Sequence, residues 1–305
     1  MDLTRINKLR ETFNNYNISG IYITNITNVR YLTGFTGSAG SVLILEDSCY
    51  FFTDGRYTEQ VKNQVKNCKI YITGSAHIKE IDKQGLLSDN AKIGFESSHI
   101  SYASYSILKN TFSNIEWIET TGSVELIAAI KDKDEISSLK TAIEITDKVF
   151  DDIVPLIKEG VTENKIAATM SYQFKEHGAE GDSYDPIVAS GWRSALPHAT
   201  PTDKAFEKGD FVVMDFGALY NGYHADMTRT IVIGQATDKH KEIYQIVLDS
   251  QLAGIQKAKA GITGAAVDQA CRDIIKNAGY GEFFNHSTGH GLGLEVHTHP
   301  RLSSF

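Results

Sequence analysis

The stretch that decides the fold is "MDFGALYNGYHADMTRT", residues 214–230. Its centre, Asn221-Gly222, separates two runs rich in β-branched, apolar and aromatic residues, 211–220 and 223–233. An Asn-Gly pair favours a type I′ turn, because that turn requires positive φ at both central positions. The stretch therefore predicts a two-stranded antiparallel hairpin.

Two aspartates lie in this hairpin, one in each predicted strand. Counting back from the turn sets Asp215 opposite Thr228 and Asp226 opposite Gly217. The aspartates then become diagonal neighbours on one face, with β-carbons less than about 7–8 Å apart. Carboxylates that close repel each other unless a proton or a cation lies between them. A hard divalent cation, or a pair of them, suits the arrangement, although two exposed surface aspartates are the alternative interpretation.

Composition bounds the class of protein. A chain of 305 residues is long enough for two domains, and its 41% hydrophobic and 22% charged residues are ordinary for a globular protein. The net charge of −8 speaks against nucleic acid as the main partner. No apolar run approaches the roughly 20 residues of a membrane span, and "MDLTRINKLRETFNN" lacks the apolar core of a signal peptide.

The cysteines also bear on location. Cys49, Cys68 and Cys271 are widely separated, odd in number and free of CxxC pairs. This pattern favours reduced thiols over a disulfide framework or a zinc knuckle. We therefore expect a cytoplasmic protein.

The chain shows two differently patterned regions. Short β-rich runs alternate with helical patterns through residues 1–122, which predicts an α/β domain with a mixed sheet. Residues 123–134 are the expected connection, and 135–305 the second domain, opening with a long helical pattern.

The second domain contains an internal repeat. "KEGVT" at 158–162 recurs as "KAGIT" at 259–263, an offset of 101 residues. The same offset aligns Ile166 with Val267, Met170 with Cys271, Phe174 with Ile275 and Gly178 with Gly279. A duplicated α+β unit follows, each half reading helix, turn, helix, glycine stop and strands. Adding the offset to Asp215 passes residue 305, so we expect the second copy to stop before matching strands.

Histidines cluster in the second half of the repeat. His286, His290 and His297 fall within "HSTGHGLGLEVH", where glycines leave room for a ligand or metal to approach. His198 lies in "GWRSALPHATP", a loop composition that could form the rim of a pocket. Structural or surface roles are the alternative for each of them.

These motifs together resemble a known superfamily. The run "PHATP…GDFVVMDFGALYNGYHADMTRT…HSTGHGLGLEVH" is similar to the creatinase, prolidase and methionine aminopeptidase superfamily. "FTGSAG" at 35–40 and "TDGRY" at 53–57 narrow this to the Xaa-Pro aminopeptidase and prolidase branch, nearest to short bacterial Xaa-Pro aminopeptidases. The resemblance implies an α/β N-terminal domain plus an α+β pita-bread C-terminal domain, here incomplete.

The resemblance also implies a dinuclear metal site, usually of manganese. Asp215 matches the aspartate that chelates one metal, Asp226 the one that bridges both, and His290 the histidine ligand. The implied reaction is hydrolysis of the bond between an N-terminal residue and proline by a metal-bridging hydroxide.

Three further histidines acquire implied catalytic roles. In such enzymes they surround the substrate, steady the scissile carbonyl and the tetrahedral intermediate, and relay protons. They match His198, His286 and His297.

One feature departs from the family pattern. Two glutamate ligands are expected on strands after the last histidine motif, whereas these residues end at "HTHPRLSSF". Glu295 belongs to "GLEVH" and is no replacement. With three of five ligands, we expect weak metal binding and little or no activity.

The leading functional interpretation is an Xaa-Pro aminopeptidase acting on peptides with proline second. Prolidase, which splits Xaa-Pro dipeptides, is the alternative within the branch. A metal-free hydrolase like creatinase shares the fold but has little support from the paired aspartates. A non-catalytic module that binds a peptide or protein is the alternative from another class. We also expect a homodimer, with no nucleic acid or membrane partner.

Overall fold

The computed structural model describes residues 4–74 and 76–304. The chain divides into two compact units, Met1–Ile130 and Lys131–Phe305. The division falls within the stretch 123–134 that the sequence pattern marks as a connection. Part of that stretch is a helix, Ser123–Ala128, which packs in the first unit against Thr4–Glu11.

The first unit is an α/β domain built on one mixed six-stranded sheet. Its strands are β1 (Gly20–Ile23), β2 (Ser41–Leu45), β3 (Cys49–Thr53), β4 (Lys69–Ile72), β5 (Lys92–Glu96) and β6 (Glu116–Thr120), in the order β4-β3-β2-β1-β5-β6. Its helices are α1 (Thr4–Glu11), α2 (Phe13–Tyr16), α3 (Ile26–Thr33), α4 (Thr58–Gln64), α5 (His77–Lys83), α6 (Tyr102–Thr111) and α7 (Ser123–Ala128). β1 is buried throughout, as expected of a central strand covered on both faces. The predicted mixed sheet is confirmed.

The prediction of three reduced thiols is wrong. Cys49 and Cys68 form a disulfide, while Cys271 is free and buried. The strands explain the pairing: β3 and β4 are parallel with Tyr50 opposite Lys69, so the preceding cysteines lie side by side with Cα atoms 4.5 Å apart. Sequence spacing cannot show that two strands are neighbours. The cytoplasmic location stays a prediction.

The second unit contains the duplicated helices. They are α8 (Lys133–Ile153), α9 (Glu163–Glu176), α10 (Asp238–Lys257) and α11 (Gly264–Asn277). The first and last residues of α9 and α11 differ by the offset of 101, and Thr162 and Thr263 cap them through the same side-chain hydrogen bond to the N3 amide. Among residues 4–74 and 76–304, none of the helices has the length and apolar character needed to cross a membrane.

The strands of the second unit form three small sheets. The strands are β7 (Gly181–Asp182), β8 (Ile187–Ser190), β9 (Phe211–Phe216), β10 (Ala218–Tyr220), β11 (Tyr223–His224), β12 (Met227–Val232), β13 (Gly289–Gly291) and β14 (Thr298–Leu302). The sheets have the orders β12-β9-β8, β11-β10-β7 and β13-β14. Together with the four helices they confirm the α+β class of this domain.

The predicted hairpin register is confirmed. Tyr220 pairs with Tyr223, and Asp215 pairs with Thr228. The ladder is interrupted at Gly217, and the common register on either side of the interruption places this glycine opposite Asp226. The turn has the expected left-handed backbone, with φ of 49° at Asn221 and 76° at Gly222.

Alternation along β9 fixes the face on which Asp215 lies. Val212, Met214 and Phe216 are buried in the core of the unit against α8 and α9. The intervening residues of β9, including Asp215, face the opposite side. The strand therefore separates an apolar core from the face that carries the candidate site.

Candidate active site

The two hairpin aspartates meet at one phenol. The Tyr184 hydroxyl lies 2.5 Å from Asp215 Oδ1 and 2.9 Å from Asp226 Oδ1, and donates to this carboxylate pair. Both carboxylates are partly buried. The structure thus brings the two acidic groups to one point, as the hairpin register predicts.

Burial has a large effect on which groups of this cluster are protonated. Burial raises the pKa of Asp215, and the neighbouring carboxylate of Asp226 raises it further, although the hydrogen bond from Tyr184 opposes the rise. Burial also raises the pKa of Tyr184, and its hydrogen bond to Asp215 adds to the effect. The phenol therefore stays protonated and serves as a donor to two acidic groups.

Tyr184 is a site residue that sequence reasoning missed. It lies in the short loop between β7 and β8, three residues before Ile187, which pairs with Asp215. The segment "DSYDP" carries no motif of its own. Only the pairing of β8 with β9 brings the tyrosine to the aspartates, and local sequence does not encode that pairing.

We expect Tyr184→Phe to destabilise the protein measured in a metal chelator. Its hydroxyl is the donor that both carboxylates share, and a hydrogen bond to a charged group is worth about 1.5–3 kcal/mol. Urea unfolding should show that loss in the free energy of unfolding. Tyr172→Phe is the matched control, because the Tyr172 side chain is exposed. Equal stability of the two variants would contradict the role of the shared donor.

His290 and His297 extend the cluster. His290, in β13, places Nε2 3.4 Å from Asp226 Oδ2, and its other ring nitrogen, Nδ1, lies 3.1 Å from the Gly291 carbonyl oxygen. The His297 ring lies 4.3 Å from that of His290, centroid to centroid. The predicted ligand His290 and the predicted catalytic His297 therefore lie beside the aspartate pair.

The other two predicted catalytic histidines, His198 and His286, lie in different surroundings. Burial lowers the pKa of His297, and the nearby His290 and Arg301 lower it further. His198 is exposed in the loop that follows β8 and contributes a smaller part of this shift. His286 is exposed, bonds to the Ser287 carbonyl oxygen and packs edge-on against Phe284. The structure brings together His290 and His297, whereas the side-chain contacts of His286 are to Ser287 and Phe284 in its own segment.

A cavity of about 550 Å³ opens beside Asp226 and His290. Asp226, Thr228 and Arg229 line it from the hairpin, and Thr288 and His290 from the second half of the repeat. A carboxylate, two hydroxyls, a guanidinium and an imidazole thus face a space large enough for a small peptide.

The side chains at this site are of the chemical types that bind divalent cations. Two carboxylates and one imidazole, from Asp215, Asp226 and His290, suit manganese. Within the part of the chain that the structure describes, however, no group of three or more His, Cys, Asp or Glu side chains is arranged to hold a metal ion. The Tyr184 hydroxyl instead engages both carboxylates. These three side chains are the ones that would supply ligands to a bound cation.

Two family sequence patterns match the chain, one in each compact unit. The sequence pattern of the creatinase/prolidase N-terminal domain matches residues 5–130. The pattern of metallopeptidase family M24 matches residues 137–305, more than half of the chain. Each match therefore falls within one compact unit.

Individual relatives agree with these matches. The structure of an Xaa-Pro dipeptidase from Bacillus anthracis superposes with a TM-score of 0.95 at 44% identity, over 99% of this chain and 85% of that one. An X-Pro aminopeptidase from Thermotoga maritima gives 0.87 at 39% identity, over 96% and 85%. An Xaa-Pro dipeptidase of Pyrococcus furiosus is 37% identical over 302 residues, 99% of this chain and 85% of that protein. The chain is a member of metallopeptidase family M24 with an N-terminal creatinase/prolidase domain.

Proposed function

We propose that the chain is a metal-dependent peptidase of the prolidase type, which splits the bond before proline in Xaa-Pro dipeptides. The observation that carries this proposal is the approach of Asp215, Asp226 and His290 to one another beside an open cavity. The two similar proteins named Xaa-Pro dipeptidases, at 44% and 37% identity, support it.

The cation and the protein side chains would have different roles in the reaction. A divalent cation, Mn²⁺ by preference, lowers the pKa of water and polarises a carbonyl. Asp215, Asp226 and His290 would hold it. His297, kept neutral by its lowered pKa, can donate a hydrogen bond where negative charge develops on the substrate carbonyl oxygen. The family resemblance assigns the same role to His198.

The aminopeptidase interpretation, which the sequence motifs favour first, becomes the second candidate. One observation supports it: the similar X-Pro aminopeptidase from Thermotoga maritima at 39% identity. The two activities differ in whether residues are accepted beyond proline. Dipeptidase specificity has the greater support among these relatives, and we prefer it.

Substrate length tests the proposal. We expect kcat/KM for Ala-Pro to exceed that for Ala-Pro-Ala by about tenfold or more in millimolar MnCl₂, since rejection of an extra residue is worth at least about 1–3 kcal/mol. Using a ratio makes the result independent of the absolute rate. Comparable or faster cleavage of the tripeptide would favour the aminopeptidase instead.

A further inference from the structure

Each half of the duplicated unit contains a buried carboxylate paired with an arginine next to a histidine segment. We propose that Glu163 with Arg193, and Asp268 with Arg272, are positioning residues that hold the site histidines in place. The proposal rests on the proposed function for its catalytic consequence alone.

The first clamp, Glu163 with Arg193, closes the loop that carries His198. Glu163 is fully buried at the start of α9. One of its oxygens accepts from the amide and hydroxyl of Ser190, at 2.8 and 2.9 Å. The other accepts from the amide and hydroxyl of Thr202, at 3.1 and 2.8 Å, and from Arg193 Nε at 3.1 Å. One carboxylate therefore ties together both ends of the segment 190–202.

Arg193 makes a second contact with the same loop, at Thr200. Its Nη2 donates to the carbonyl oxygen of Thr200 at 2.6 Å, two residues beyond His198. His198 itself is exposed, so packing does little to fix it. Its position depends on the backbone that Glu163 and Arg193 hold.

The second clamp, Asp268 with Arg272, holds the segment that leads into His290. Asp268 is fully buried in α11 and accepts from the amide and hydroxyl of Thr288, at 3.0 and 2.8 Å. Arg272 Nε donates to Asp268 at 2.9 Å, and its other nitrogens donate to the carbonyl oxygens of Phe284 and His286, both at 2.7 Å. The backbone is thus fixed on the approach to β13, two residues before His290.

The positions of the carboxylates argue for a role beyond packing. The offset of 101 relates Glu163 to Gly264 and Asp268 to Ala167, so the two clamps occupy different positions in otherwise matched helices. Each half places its own clamp against its own histidine segment. A buried ion pair is often no more stabilising than apolar residues of similar size. We therefore assign these two pairs to the geometry of the histidine segments.

Two methionine variants separate the clamps. In Arg193→Met we expect faster hydrogen exchange in residues 191–201, a kcat for Ala-Pro lowered about tenfold or more with KM nearly unchanged, and unaltered Mn²⁺ affinity. In Arg272→Met we expect faster exchange in residues 284–290 and Mn²⁺ affinity weakened about tenfold, because His290 is a proposed ligand. Met retains much of the apolar stem of arginine and removes its donors.

Lys204→Met is the matched control. Lys204 pairs with Asp210 at 2.6 Å and is about as exposed as Arg193, 20% against 15% for the side chains. Asp210 accepts a further bond from the Glu207 amide. We expect neither histidine segment, kcat nor Mn²⁺ affinity to change in this variant.

The outcomes decide between positioning and general stability. Equal effects in all three variants, or unchanged exchange in both arginine variants, would overturn the proposal. If an arginine variant fails to fold, Thr202→Val and Ser190→Ala remove one hydroxyl each from the first clamp and should raise exchange in 191–201 alone. A parent protein that cleaves no Xaa-Pro peptide would reject the proposed function, while the exchange and Mn²⁺ measurements still test the clamps.

Discussion

Replacing Asp226 with Asn is expected to lower peptidase activity at least about 100-fold, because removing a group that stabilises charge in the transition state costs that much or more. Asp226 contacts both the Tyr184 hydroxyl and His290, so it joins the hairpin to the histidine segment. Asn has nearly the same shape but lacks the negative charge that a cation requires. Mn²⁺ affinity should therefore fall with activity, by about tenfold for each 1.4 kcal/mol of binding free energy lost.

The same variant should not lose stability when a chelator is present. Asp215 and Asp226 are like charges that share one donor, and the pKa of Asp215 is raised by burial and by its neighbour. Neutralising Asp226 relieves that repulsion. A folded protein that no longer binds metal is the expected product, which separates a lost ligand from a lost fold.

Mn²⁺ titration by electron paramagnetic resonance, alongside Ala-Pro turnover, measures both effects. Asp151→Asn is the control, because Asp151 is exposed on α8, is not among the residues that line the cavity, and its substitution makes the same change of charge. We expect it to keep metal and activity. Retention of both by Asp226→Asn would show that the hairpin pair is not the metal site.

The parts of the site that sequence predicted are those set by local rules. Asn221-Gly222 and the two-residue period of a strand were enough to place Asp215 opposite Thr228. A fixed offset of 101 was enough to match the bounds of α9 and α11. Turn chemistry and side-chain alternation act over a few residues, so a single sequence contains them in full.

The parts that sequence missed depend on neighbours distant in the chain. Tyr184 reaches Asp215 because β8 pairs with β9. Cys49 reaches Cys68 because β3 pairs with β4. The order of strands in a sheet depends on how whole layers pack. The residues next to Tyr184, Cys49 and Cys68 in the sequence therefore do not predict which strands pair. His286 shows the converse, since closeness to His290 in sequence did not bring its side chain to the aspartates.

Gly217 is the residue on which the geometry of the aspartate pair depends most directly. A β-carbon at this position would lie 1.8 Å from the carbonyl oxygen of Ala225 and 2.5 Å from its carbonyl carbon. Both are backbone atoms of the opposite strand, so no change of rotamer relieves the overlap. The φ of Gly217 is not in the left-handed region, and the demand for glycine is therefore one of space alone.

We expect Gly217→Ala to lower the free energy of unfolding by at least about 3 kcal/mol, because overpacking against backbone forces the two strands apart. Gly289→Ala is the matched control: it lies in β13, where the nearest atom to an added β-carbon is Leu302 Cδ1 at 3.6 Å, an ordinary contact. That variant should lose about 1 kcal/mol or less, the usual effect of a tolerated change in packing. Urea unfolding followed by circular dichroism compares them. Similar stability of the two variants would mean that the strands can separate at Gly217 without loss, and then the hairpin could not be what holds Asp215 and Asp226 together.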